Sequence, residues 1–201
     1  LHDGTIDTIQ SFLSAGVFNP NAAERQALAD FVLAFPSDLA PIVGQQATIG
    51  PGNVGVAEVA DRIDLIDARA AAAFESNVLG GSVTECDVIV KAVEAGVEKG
   101  YARLASGLYL PDDNGAAINE STLRLKATTQ ILTYTAVPPG SGQRMGIDRD
   151  QDSLLNGVET NTGIFVDADD TGTDPALVDT DSDSFEDGVE VAAGTDPTNP
   201  L

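Results

Sequence analysis

The chain has 201 residues, 42% of them apolar, with 32 Asp and Glu against 10 Lys and Arg and a net charge of −22. That is enough apolar material for one or two small domains, while the acidity argues against nucleic acid, whose phosphates need a basic surface. The only histidine is His2 and the only cysteine Cys86, so a His-based catalytic pair, an internal disulfide and a CxxCH haem attachment are all excluded.

In chain order, the stretch from Thr5 to Phe18 carries Ile6, Ile9, Phe12 and Leu13 at helical spacing. Asn19-Pro20 stops it, and Asn21 with Glu24 forms a capping box for a second helix. Leu28, Phe31, Val32 and Phe35 make the apolar stripe of that helix, and Pro36 ends it. Gly44 to Gly55 reads as a linker, and Val56 to Ala73 as a third helix with Val59, Ile63 and Ile66 on one side. Gly80-Gly81 breaks the chain again. From Cys86 to Val137 the pattern is antiparallel β. Val88, Val90 and Ala92 alternate with their neighbours, Ser106-Gly107 reads as a two-residue hairpin turn, and Leu123, Leu125 and Ala127 alternate with Arg124 and Lys126. Leu108 to Leu110 reads as an exposed edge strand, a template for pairing with another chain. Asn119-Glu120-Ser121 is a glycosylation sequon. No run approaches the roughly 20 apolar residues that span a bilayer. There is no initiator Met or signal peptide, so any export signal is expected upstream of Leu1.

The acids are unevenly spread, with 15 of them from Gln143 onward against two bases, Arg144 and Arg149. Such crowding is unfavourable unless cations neutralise it. Asp148 to Glu159 and Asp179 to Glu190 share the pattern D-x-D-x-D-S-x-x-[ND]-G-V-E, and each is followed by Gly-Thr-Asp-Pro. A twelve-residue loop that holds calcium supplies oxygens from positions 1, 3, 5, 7, 9 and 12. In the first loop these are Asp148, Asp150, Asp152, the carbonyl of Leu154, Asn156 and Glu159. In the second they are Asp179, Asp181, Asp183, the carbonyl of Phe185, Asp187 and Glu190. Two calcium sites are therefore predicted. Asp167, Asp169, Thr171 and Asp174 offer a third, or complete the shells of the other two. Ser153 and Ser184 stand where such loops usually carry glycine, a departure that strains the turn if φ is positive. Leu154, Leu155, Val158, Phe185 and Val189 are too few for an independent core, so metal is expected to take its place and to couple binding to folding.

At these residues the segment from Asp148 to Pro197 resembles the thrombospondin type 3-like calcium repeats at the C-terminal ends of many secreted bacterial proteins. The likeness is most specific in Asp-Thr-Asp-Ser-Asp (179–183), Asp-Gly-Val-Glu (187–190) and Gly-Thr-Asp-Pro (194–197). It implies calcium at the acidic loop positions and an extracellular or cell-surface location. The opening, Leu-His-Asp-Gly (1–4), Ser-Phe-Leu-Ser-Ala (11–15) and the helix from Glu24, looks like the tail of the second cytochrome c domain of bacterial di-haem peroxidase-like proteins. CxxCH is absent, so no haem is expected in this chain. The stretch Val-Pro-Pro-Gly-Ser-Gly (137–142) looks like the linker that joins a β-module to calcium repeats in large secreted proteins.

The expected fold is modular α+β. A helical, cytochrome c-tail-like region covers 1–50, a linker and helix 51–82, a small antiparallel β-sandwich-like domain 83–142, and irregular calcium-loop repeats 143–201. The expected function is that of a non-catalytic structural or adhesive module that calcium makes rigid. Its expected partners are copies of itself, in a surface layer or filament, or other cell-surface proteins. The alternative is an accessory C-terminal part of a secreted di-haem peroxidase-like enzyme. A hydrolase is disfavoured, because one histidine outside any nucleophile motif makes no Ser-His-Asp set. The paired carboxylates of 148–190 could mimic a glycosidase site, but their regular repetition is better explained by metal cages.

Overall fold

The computed structural model describes residues 8–33, 38–94 and 96–200. His2, Phe35 and Pro36 lie outside them. At the N-terminal end α1 (Ile9–Leu13) is capped by Thr8, and α2 (Ala22–Leu33) by Asn21. The capping box is formed in both directions: Asn21 Oδ1 accepts from the Ala23 and Glu24 N–H groups, and Glu24 returns a bond to the Asn21 N–H at 2.7 Å. The helices form a hairpin in which the Phe12 and Phe18 rings meet at 5.1 Å. Leu28, Phe31 and Val32 of the stripe are largely exposed. The first helix is also shorter than its periodicity predicts, because the chain turns after Leu13.

The centre is one five-stranded antiparallel sheet, ordered β1 (Gln46–Ile49), β7 (Leu132–Val137), β4 (Asp87–Glu94), β5 (Val97–Arg103), β6 (Tyr109–Pro111). β1 lies inside the stretch that reads as a linker. Its four residues alternate polar and apolar, too short a run to stand out between flanking glycines. Val88, Val90 and Ala92 point to the same side as Leu132, Tyr134 and Ala136 and pack there against Ile63 and Ile66 of α3 (Ala57–Arg69). The layer on this face is helical, where the sequence suggested a sandwich. A separate hairpin, β2 (Ala73–Ser76) with β3 (Gly81–Thr84), is the only other sheet among the described residues.

Three tyrosines are buried in this core with their hydroxyls satisfied. Tyr101 donates to Glu94 at 2.6 Å, Tyr109 to Asp67 at 2.7 Å and Tyr134 to Glu120 at 3.3 Å. Cys86 is fully buried in the same cluster, and burial pushes its thiol up to about 11, which makes it a small core hydrophobe.

Two further expectations are corrected. The stretch around Leu123 is helical: α4 (Glu120–Leu125), capped by Asn119, runs into a single 3-10 turn, Lys126–Thr128. Leu123 and Ala127, four residues apart, are both buried, whereas Leu125 is 68% exposed, so the period is that of a helix and not of a strand. The turn between β5 and β6 encloses three residues rather than two, since Leu104 N–H bonds to Leu108 O at 2.7 Å and Gly107 N–H to Leu104 O at 2.9 Å. Beyond it, β6 is an edge but not an open one. Tyr109 exchanges both backbone bonds with Ile118, at 2.7 and 2.9 Å, so the chain closes this edge on itself.

The opposite face of the sheet carries the acidic segment. After Pro138-Pro139-Gly140 the chain turns into α5 (Gly142–Gly146), which lies over β4 and β5. Gly142 N–H bonds to Asp87 at 2.8 Å, and Lys91 Nζ donates to the Gly146 carbonyl at 2.6 Å. Ile147 is buried beside it, so the first acidic loop starts from a fixed point.

The helical register of α4 sets an expectation for stability. Leu123→Ala should lower the unfolding free energy by about 2–5 kcal/mol, and Leu125→Ala by less than about 0.5 kcal/mol. Urea melts in calcium-containing buffer measure both. Equal losses would indicate the alternating strand instead.

Candidate metal centre

The two loops share several hydrogen bonds at equivalent positions. Asp148 Oδ1 accepts from the Gln151 N–H at 2.8 Å, and Asp179 Oδ1 from Ser182 at 2.7 Å. Asp152 Oδ1 accepts from Leu154 at 2.8 Å, and Asp183 Oδ1 from Phe185 at 2.9 Å. Both backbones enter the left-handed region at the same two places, Gln151 and Ser153 in one loop, Ser182 and Ser184 in the other. Ser153 and Ser184 share φ of 83°, so serine does occupy the strained turn where glycine would be relaxed. The carbonyls of Leu154 and Phe185 accept no hydrogen bond from the described residues, which leaves both open to a cation.

These backbone bonds fix Asp148, Asp152, Asp179 and Asp183 at the first and fifth positions of each loop, around Asp150 and Asp181. Asp148, Asp150 and Asp152 place ligand atoms within 4.8 Å of one another, as do Asp179, Asp181 and Asp183. Both oxygens of Asp150 and Oδ2 of Asp181 are buried without a hydrogen-bond partner. The terminal glutamates behave alike. Glu159 Oε1 accepts from the Thr173 hydroxyl at 3.3 Å and Glu190 Oε1 from Thr195 at 3.3 Å, while Oε2 of each is buried and unpartnered. Thr173 and Thr195 are the threonines of the two Gly-Thr-Asp-Pro tetrads. The tetrads were visible as repeats, but their task of aiming the glutamate was not.

Among the described residues no lysine or arginine forms an ion pair with Asp148, Asp150, Asp152, Glu159, Asp187 or Glu190. At an effective dielectric of about 20, two charges this close repel by on the order of 4 kcal/mol. Burial, and then neighbouring carboxylates, therefore push Asp152 up to about 6 and Glu159 up to about 8. Asp148, Asp187 and Glu190 are also raised, with burial the first cause in each. Orphaned, buried, hard oxygens in this number fit a divalent cation.

The other predicted ligands are placed differently. Asn156, at position 9, accepts the Arg149 N–H on its Oδ1 at 2.9 Å and so pins the loop backbone. Asp187 does the same for Thr180, accepting from its N–H at 2.8 Å and its hydroxyl at 2.6 Å. Yet Asp187 also reaches the first loop, where it forms a third close group with Asp152 and Glu159. Asp167, Asp169, Thr171 and Asp174 do not come together as a site among the described residues. Asp167 accepts from the Asp169 and Asp170 N–H groups, Asp169 from Asn114, and Asp174 from the Ala176 N–H. Thr171 is buried and bonds to the Val158 carbonyl and to Thr173, so it supports Glu159 from behind. The second loop runs into a short helix, α6 (Asp187–Ala193), which begins inside the loop and is capped by Gly194.

Asp112 was not singled out by its sequence context. It is buried at the end of β6, takes the Gly100 N–H at 2.6 Å, and keeps Oδ1 unpartnered. Its carbonyl accepts the Gly157 N–H at 2.8 Å. In the same way Asp152 Oδ2 accepts the Gly188 N–H at 3.1 Å. A Cβ at Gly157 would lie 2.5 Å from Asp112 O, and one at Gly188 only 2.1 Å from Asp152 O. The tenth loop position is glycine in both repeats because each loop docks there on backbone: the first on the sheet, the second on the first. Beside this junction a cleft of about 580 Å³ opens over the sheet, lined by Lys91, Lys99, Asp112, Arg149 and Asn156 among others.

No family model, no curated protein and no solved structure matches the chain. The site stands on its own geometry.

The raised carboxylates give a pH dependence with a definite sign. Unfolded, Asp152 and Glu159 return to 3.8 and 4.5. Between those values and about 6 and 8 the folded, metal-free chain binds more protons than the unfolded one, so its stability falls as pH rises. With a cation bound the ligands must stay deprotonated, so above about pH 5 neither the folded nor the unfolded chain holds these protons. Thermal midpoints of the acidic segment in chelator should therefore fall from about pH 5 to about pH 8, and stay nearly level in calcium. Solvated carboxylates would show no such difference.

Proposed function

We propose that the two loops bind calcium and that the chain is a non-catalytic structural module of an extracellular bacterial protein, made rigid by that calcium. The observation that carries this is the set of buried, unpartnered oxygens of Asp150, Glu159, Asp181 and Glu190, repeated at equivalent places in both loops. Calcium suits them better than magnesium, which needs a tight octahedral shell and keeps several waters, whereas these loops offer carboxylates and an open carbonyl on a flexible backbone.

A structural role is favoured over a switch by what surrounds the loops. A sensor loop opens a pair of long helices over an apolar groove. Here α6 has seven residues, Phe185 and Val189 are exposed, and of the five apolar residues within the loops only Val158 is fully buried. Hydrogen bonds within the loops and the bound metal must take the place of a core. α5 and Asp112 fix the first loop to the sheet, so calcium would clamp the last fifty or so residues (a count on the order of the acidic segment) to a folded platform. Pairing of copies through β6 is not part of this reading, because Ile118 already occupies that edge.

Calorimetric titration with calcium, paired with thermal melts in calcium and in chelator, tests the proposal. Binding is expected at roughly 10⁻⁴ to 10⁻³ M, or tighter with cooperativity, together with a higher melting temperature. Heats equal to dilution and superimposable melts would contradict it.

A further inference from the structure

We infer that the cation of the first loop is shared between the loops: Asp187, from the second loop, is one of its ligands, so the two loops bind calcium as a coupled pair. This rests on the calcium reading above and deepens it.

Asp152, Glu159 and Asp187 place ligand atoms within 4.8 Å of one another, and Asp152 belongs equally to the group formed with Asp148 and Asp150. One ion between the two groups meets the acids of the first loop and Asp187 together. All three members are almost wholly enclosed, with 2%, 4% and 0% exposure respectively. Independently of this clustering, Oε2 of Glu159 is buried with no hydrogen-bond partner, although its Oε1 is held by Thr173. A polar atom so enclosed and left open calls for a ligand.

The comparison between repeats sharpens the assignment. Position 9 pins the backbone of position 2 in both loops, and neutral Asn156 does this in the first. The same task in the second loop would be served by asparagine. Instead a carboxylate stands there, fully buried beside two others and with no basic partner. A cation is what makes that extra charge favourable. The second loop is brought to this place by its own backbone, since the Gly188 N–H bonds to Asp152 Oδ2 and Gly188 has no room for a Cβ against Asp152 O. Asp152 thus ties both the ion and the neighbouring loop.

Calcium titrations of variants built from three substitutions, singly and combined, test this by calorimetry. Asp181→Asn disables the second loop's own group and should leave one site. Adding Asp187→Asn, which keeps the oxygen that the Thr180 N–H uses, should weaken that remaining site by at least about tenfold, as loss of a charged ligand does. Unchanged affinity would overturn the sharing. Glu159→Gln and Asp187→Asn should also be non-additive when combined, because both act on one ion; additive losses would likewise overturn it. If the unmodified chain took up no calcium, the calcium reading itself would fail, an outcome distinct from retention of two independent sites. Near-ultraviolet circular dichroism in calcium verifies that each variant keeps the fold.

Discussion

Carboxylates crowded into a buried space repel one another, and proteins usually relieve this with arginine or lysine. Here five of the ten bases pair with other acids. Arg69, Arg103, Arg124 and Lys126 pair with acids of the helices and the sheet, and Lys99 pairs with Asp113. The loop acids are left with backbone N–H groups, which satisfy about half of their oxygens (roughly one per carboxylate) and turn the rest inward. The compactness of the whole C-terminal segment depends on how that remaining charge is met.

The sheet supplies the reference frame. Its helical face is an ordinary core of alternating strand residues against α3 and α4. Its other face receives α5 through Asp87 and Lys91, then the first loop through Asp112. The second loop is stacked by the same device, with Asp152 in the part that Asp112 plays for the first. Each unit thus provides an aspartate on which a glycine of the next one rests. Repeats built this way can form an ordered stack with hardly any apolar core, as long as the oxygens between them are neutralised.

Much of this was legible in the residues, and the limits have physical causes. The loops could be read because ligand spacing is local: positions 1, 3, 5 and 12 are set by one short backbone path, repeated twice. Asn156 and Asp187 were assigned the same ligand role from that spacing, but geometry divides them, since only Asp187 faces another loop. That division is tertiary and invisible in a one-dimensional pattern. Asp112 escaped notice for the same reason, being an aspartate in a turn whose partner, Gly157, lies far along the chain. β1 was hidden because four residues carry too little periodicity, and α4 was mistaken for a strand because Leu123, Leu125 and Ala127 fit a period of two as well as Leu123 and Ala127 fit one of four.

The most direct measurement is anomalous scattering from crystals of this chain grown with calcium. The account predicts a peak enclosed by Asp148, Asp150, Asp152 and Glu159, with an oxygen of Asp187 against it, and a second peak among Asp179, Asp181, Asp183 and Glu190. Ordered carboxylates turned out to solvent, with no peak between them, would contradict it.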